Sequence, residues 1–186
     1  LEVLEIERVH LVVGHNKEKV KQYVRSINLK LDCNFIDNDV YRTTGNTLSM
    51  VMGLRYCPGD VIILDGDVLY PQSVFCDYVQ NSKPTSFALV PSDIDNTEST
   101  KTLIRSDGNI ESFVTKRDLT PEEKMDFNFG GEAIGFFKLS DEDRKKFIEH
   151  YENFKSEYIE TLWEIPFTNF AKYVSLTPWL INQGRT

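Results

Sequence analysis

The chain contains no run of about eighteen apolar residues and no signal-peptide pattern, so the expectation is a soluble, cytoplasmic protein without a membrane partner. Cysteine is scarce. Cys33, Cys57 and Cys76 are odd in number and show neither a CxxC nor a Cys/His spacing, so neither a disulfide framework nor a zinc site is suggested, and the expectation is buried apolar side chains in a reducing compartment. An excess of positive charge is also missing. The formal net charge of -8 argues against a nucleic-acid partner, because such surfaces cluster Lys and Arg against phosphates; it is compatible with a nucleotide held through a metal ion. Internal repeats, low-complexity tracts and heptad seams are absent. What is there, 186 residues with 40% hydrophobic and 27% charged, is ordinary globular material of one domain's length, enough to bury a sizeable core.

The stretch that organises the rest is Val61-Ile62-Ile63-Leu64-Asp65-Gly66-Asp67-Val68-Leu69-Tyr70. Its apolar run is the pattern of a buried central strand, and it delivers two carboxylates, separated by one glycine, to the strand's carboxyl end. Ligands of open α/β sheets bind outside the carboxyl ends of strands, and Mg²⁺ takes carboxylate oxygens together with substrate phosphates. Asp67, supported by Asp65, therefore reads as a divalent-metal site for a phosphorylated substrate. Asp-Gly is equally a turn signal, and acidic residues after a strand also serve as solvated loop or cap residues.

Around this stretch the pattern alternates. Residues 9–13 form a β-rich apolar run ending in Gly14-His15-Asn16, and the charged segment 17–27 places Val20, Tyr23, Val24 and Ile27 on one helical face. Residues 33–36 read as a second strand. A helix over 46–55 turns Leu48, Val51, Met52 and Leu54 inward, with Thr44 or Asn46 as N-cap, and Pro58-Gly59 breaks it. A helix over 71–79, a buried strand over 86–90 and a polar loop over 91–100 follow the acidic stretch. A hairpin pairs 101–105 with 110–114 across Asp107-Gly108, and Thr120-Pro121-Glu122-Glu123 has the form of a helix start. Residues 133–137 are strand-like, and Ser140-Asp141-Glu142-Asp143 opens the longest helix, to about residue 155. Alternating strands and helices through the first ninety residues imply βαβ crossovers, and the hairpin and later strand imply a mixed second half. The class is α/β with a mostly parallel, mixed sheet.

Taken as a set, Tyr41…Asn46-x-x-Ser49-Met50, then apolar-Asp65-Gly66-Asp67, then Lys116, then Gly131-Glu132-x-x-Gly135 resembles the nucleotidyltransferases that make activated sugars and alcohols, most closely the bacterial choline-phosphate and aminoethylphosphonate cytidylyltransferases. The matching segments are YRTTGNTLSM, ILDGD and GEAIGFFKLS; their order and spacing carry the resemblance, which covers nearly the whole chain. It implies a Rossmann-like three-layer, glycosyltransferase-A-like fold, with a nucleotide-binding part over about 1–90 and an acceptor-binding part over about 91–186.

The resemblance also implies roles. Asp67 would hold Mg²⁺ with Asp65 beside it; Gly45, Asn46 and Ser49 would approach the nucleotide base and sugar; Lys116 would meet the acceptor phosphate; Glu132 would bind the acceptor's polar or cationic head. Asn46 and Ser49 also fit plain helix capping, and Glu132 a strand-turn cap. Trp163, near Glu164, would offer an aromatic face to a quaternary amine, or else pack with Phe167 in the core of a carboxyl-terminal helix. The implied substrates are a nucleoside triphosphate, CTP first, and a small phosphate- or phosphonate-bearing acceptor. The family's first strand, its glycine-rich triphosphate loop and its closing metal carboxylate have no counterpart between Leu1 and Thr186, so coding sequence is expected to be missing at both ends. Rival readings are a metal-dependent glycosyltransferase that uses a nucleotide-sugar and a non-catalytic nucleotide-binding domain.

Overall fold

The computed structural model describes Leu4, Ile6 and residues 8–27 and 29–181. Contacts divide the chain into two compact units, Leu1–Pro58 with Ile148–Trp163, and Gly59–Phe147 with Glu164–Thr186.

In the first unit β1 (Arg8–Val13), α1 (Lys17–Ser26) and β2 (Asp32–Asp37) form a βαβ element whose strands pair in parallel from Arg8↔Asp32 to Val13↔Asp37. The spacing predicts an inward face for α1, and there the structure differs. Tyr23 is 67% exposed, Val20 and Ile27 are exposed too, and α1 buries no residue. The helix is tied down instead by its charged side, where Lys17 Nζ lies 2.6 Å from Asp39 and Lys21 Nζ 2.7 Å from Asp37 at the end of β2.

Helix α2 (Asn46–Leu54) does bury Leu48, Val51 and Leu54. Its N-cap is Gly45, not Thr44 or Asn46, and no side chain caps it. The segment after α6 (Lys155–Tyr158) takes that place: the Gly45 amide donates to the Ile159 carbonyl at 2.9 Å and the Thr47 amide to that of Thr161 at 3.3 Å. A side-chain cap is unnecessary where backbone carbonyls meet the first-turn amides.

The second unit is built on one six-stranded sheet of order β6-β5-β7-β4-β8, with β3 also on β7. Here β3 is Val61–Leu64, β4 Ser86–Val90, β5 Lys101–Ile104, β6 Ile110–Val114, β7 Asn128–Leu139 and β8 Thr177–Leu180. Helix α3 (Gln72–Asn81) links β3 to β4, and both strands run antiparallel to β7 and so parallel to each other. β8 adds in parallel to β4. The expected α/β class with a mixed sheet is the fold the chain adopts. Two elements depart from the sequence reading: β7 begins at Asn128, well before the expected residue 133, and β8, which carries Pro178, is a strand that reading did not include.

The hairpin closes as expected, with Arg105 N–H donating to Asn109 O at 2.8 Å and Gly108 at φ 83°. The helix start at Thr120 is a capping box with Pro121 at its first turn, opening α4 (Pro121–Asp126). The outer edge of β6 is engaged by α7 (Glu164–Phe170) and the chain after it: Phe113 N–H donates to Thr168 Oγ1 at 2.9 Å and Ile110 N–H to Leu176 O at 2.8 Å. Helix α5 (Asp141–Asn153) runs through the unit boundary, and among the described residues no helix is long and apolar enough to cross a membrane.

Aromatic rings fill the core of this unit. Phe147 stacks on Phe167 at 4.1 Å, Phe87 stacks on Phe137 at 4.6 Å, and Phe167 meets Phe87 edge-on at 5.0 Å. Phe167 thus joins both stacks. Phe167→Ala should lower unfolding stability by about 3–5 kcal/mol, read as a drop in the urea midpoint, because the aromatic cluster cannot collapse around so large a void.

Candidate functional site

The chemistry-bearing residues of the second unit gather where the edge of β7 changes hands. Along that edge β3 pairs with Phe136–Leu139 and β5 with Asn128–Glu132, so residues 133–135 face neither strand's ladder. Two single hydrogen bonds cross this gap: Ala133 N–H donates to Thr100 O at 2.9 Å, and Asp65 N–H donates to Gly135 O at 2.9 Å. Gly135 has φ 64°, a conformation L side chains rarely adopt, and a Cβ there would run into the Asp65 carboxylate. Glycine therefore seats Asp65 on the sheet edge.

Asp65 is half-buried, whereas Asp67 is exposed and has no hydrogen-bond or ion-pair partner among the described residues. Tyr70 closes the acidic turn from behind by donating its hydroxyl to Ile134 O at 2.9 Å. Burial, followed by the charges of Asp65 and Asp67, pushes the Tyr70 phenol well above its ordinary value. No three His, Cys, Asp or Glu side chains cluster tightly enough to enclose a metal ion among the described residues. The Asp65-Gly66-Asp67 pair nevertheless suits Mg²⁺, which is commonly held by one or two carboxylates with water and phosphate oxygens completing its shell.

On the other side of the gap, Glu132 pairs in register with Lys101 of β5 and Val90 of β4, and its carboxylate has no partner among the described residues. Lys116 follows β6 at φ 52°, exposed, in the left-handed region, and likewise without a hydrogen-bonded partner among the described residues. Glu164, at the start of α7, is 7% exposed; its Oε1 accepts from Thr100 Oγ1 at 3.1 Å and its Oε2 is buried without a partner. Desolvation raises the Glu164 pKa, with the hydrogen bonds and the charge of Lys116 opposing.

The first unit holds the remaining sequence candidates. A Cβ on Gly45 would collide with the backbone of Thr161, so the close approach this glycine permits is to its own chain. Asn46 is exposed; its Oδ1 accepts from Trp163 N–H at 2.9 Å, and its Nδ2 has no partner among the described residues. Ser49 Oγ accepts from Asn38 Nδ2 at 2.9 Å, and Asn38 itself is buried with its amide on Val13 O at 2.8 Å. Trp163 is buried and lies immediately before α7 rather than within it. A cavity of about 620 Å³ in this unit, against His10, Asn34, Arg55 and Tyr56, is lined by none of the candidates.

Sequence reasoning missed Tyr70 and Thr100. Tyr70 stood at the end of the organising stretch, but only the fold brings its hydroxyl to Ile134; Thr100 had no signal, being the last residue of a polar loop. Because the folded pKa of Glu164 lies above its unfolded value, its contribution to stability is complete below that value, near 4.5, and is lost as pH rises through the folded one. Glu164→Gln, which imitates the protonated acid, should raise the urea midpoint at pH 8, and the difference should vanish toward pH 4.5; equal midpoints at pH 8 would show that the fold compensates the charge.

No family model matches the sequence, and no curated protein matches it. Solved structures do share its fold. The inositol-1-phosphate CTP transferase from T. maritima matches at a TM-score of 0.70 with 17% identity over 94% of this chain, which spans 66% of that protein. HddC from Yersinia pseudotuberculosis matches at 0.66 with 17% identity over 96% of this chain and 72% of its own. UDP-glucose pyrophosphorylase complexed with UDP-glucose matches at 0.59 with 13% identity over 94% of this chain and 72% of its own. The acidic turn seated on β7 thus lies within the fold shared with these structures.

Proposed function

We propose that this chain is the core of a nucleotidyltransferase, which moves a nucleoside monophosphate from a nucleoside triphosphate to a small phosphate- or phosphonate-bearing acceptor. The observation that carries the reading is the Asp65-Gly66-Asp67 turn at the carboxyl end of β3, locked to the β7 edge by Gly135. The shared fold supports it, since its relatives include a CTP transferase and a structure holding UDP-glucose. The first choice of substrates is CTP with phosphocholine or aminoethylphosphonate; a sugar 1-phosphate with another nucleotide is the second.

In this reading an acceptor oxygen attacks the α-phosphorus, and the bond to pyrophosphate breaks. Asp67, with Asp65 beside it, would hold Mg²⁺, which when bound neutralises phosphate charge. Lys116 presents its ammonium to the acceptor phosphate as a point charge. Asn46 offers its free Nδ2 donor to the nucleotide, oriented by the bond its carbonyl accepts from Trp163. Gly45 and Ser49 stay assigned to the nucleotide end, Gly45 through the entry of α2 and Ser49 through its hydroxyl proton. Glu132, and the unpartnered Oε2 of buried Glu164, supply negative charge for a cationic acceptor head. Trp163 is buried, so the reading gives it no direct contact with the acceptor, and no aromatic cage is required. No group here needs to form a covalent intermediate; positioning and electrostatics suffice.

Pyrophosphate release from each of the four NTPs, with Mg²⁺ and a panel of phosphocholine, aminoethylphosphonate and sugar 1-phosphates, tests this directly. Acceptor-dependent release is expected with one pair, falling about 100-fold or more in Asp67→Ala. Gly135→Ala, which displaces Asp65 without touching Asp67, should produce a smaller loss in the same assay. Release with no pair from a folded protein would sink the transferase reading, and acceptor-free hydrolysis of a nucleotide-sugar would replace it with the glycosyltransferase one.

A further inference from the structure

A lysine ammonium buried in a sheet is costly unless each donor finds a partner, and an apolar residue would fill the same space without that demand. Lys101 is such a lysine. It lies on β5 with 0% exposure, and no ion pair joins it to a carboxylate among the described residues. Its Nζ donates to two backbone carbonyls, Asn96 O at 2.6 Å and Arg117 O at 3.0 Å. These carbonyls belong to the two connections that border the gap on β7: the loop ending at Thr100 and the turn carrying Lys116.

The second connection has an unusual backbone. Lys116 adopts φ 52°, which a non-glycine residue holds only where its surroundings over-determine it. On its amino side Val114 is fixed in the β6 ladder, opposite Lys101 itself. On its carboxyl side Arg117 is gripped twice: its carbonyl by Lys101, and its guanidinium by Glu123 in a two-pronged pair at 2.8 and 2.7 Å. Glu123 is in turn fixed by the capping box of α4. We infer that Lys101 is a positioning residue for Lys116: its buried ammonium pins the Arg117 and Asn96 carbonyls, holds Lys116 in its left-handed conformation and so aims the Lys116 ammonium at the acceptor. The inference rests on the transferase reading for the role of Lys116, but its structural half stands apart from it.

The test compares Lys101→Met, which keeps the length and removes the donors, with Lys101→Gln, which keeps two N–H donors and no charge, beside Lys116→Ala. Acceptor kcat/KM is expected to fall 10- to 100-fold in Lys101→Met with the NTP KM within twofold of wild type, and to recover at least partly in Lys101→Gln. Hydrogen exchange, read without substrate, is expected to speed up at residues 116–118 in Lys101→Met while the amides of β5 and β7 stay protected. Unchanged exchange at 116–118 would overturn the inference whatever the activity, and so would equal losses toward both substrates with β5 and β7 loosened. If Lys116→Ala keeps full activity, the assigned role of Lys116 fails instead, and exchange alone then decides whether Lys101 holds the turn.

Discussion

The second unit depends on one constraint: a single strand, β7, must serve two partners along the same edge. β3 and β5 cannot both pair in regular register with it, so its ladder breaks over residues 133–135 and the chain crosses the break with a left-handed glycine. Broken ladders expose backbone groups, and here each is answered by a residue that also bears on the candidate site. Asp65 answers Gly135, Thr100 answers Ala133, and Tyr70 answers Ile134. Satisfying the backbone and assembling the site are the same act of folding.

The charges around this break fall into two kinds. Lys101 is buried, and two of its three donors are spent on main-chain carbonyls, so it stiffens what surrounds it. Asp67, Lys116 and Glu132 have no hydrogen-bond or ion-pair partners among the described residues, and Glu164 has only one of its oxygens engaged. Charges left open beside a rigid frame are what a charged ligand needs, because binding then requires little reorganisation of the protein.

How far this could be read from sequence follows from the range of each interaction. The hairpin at Asp107-Gly108 and the capping box at Thr120 are local, and both stand in the structure as their residue types require. The acidic turn after Val61–Leu64 was legible because a strand end is written within ten residues. What sequence did not show is non-local. The cap of α2 comes from carbonyls more than a hundred residues away, so Thr44 and Asn46 looked like caps and were not. The apolar stripe of α1 has helical period, yet period states only that one face is apolar, and of that stripe only Val24 is half-buried. Strand β8 carries no plain sequence signal, since Pro178 is tolerated only at an edge position, and Thr100 matters only through partners on β7 and α7.

The β6 and β8 margins of the six-stranded sheet share a further property. At β6 the outward amides of Ile110 and Phe113 are taken by Leu176 and Thr168. At β8 the Ile181 amide points inward to Leu89, so by the alternation of a strand the nitrogen of Pro178 points outward, where it has no hydrogen to donate. A border whose donors are occupied at β6 and interrupted by a proline at β8 offers a poorer template to an incoming strand. Sheet extension is thereby discouraged at β6 and at β8, against the edge-to-edge growth that leads β-rich chains into aggregates.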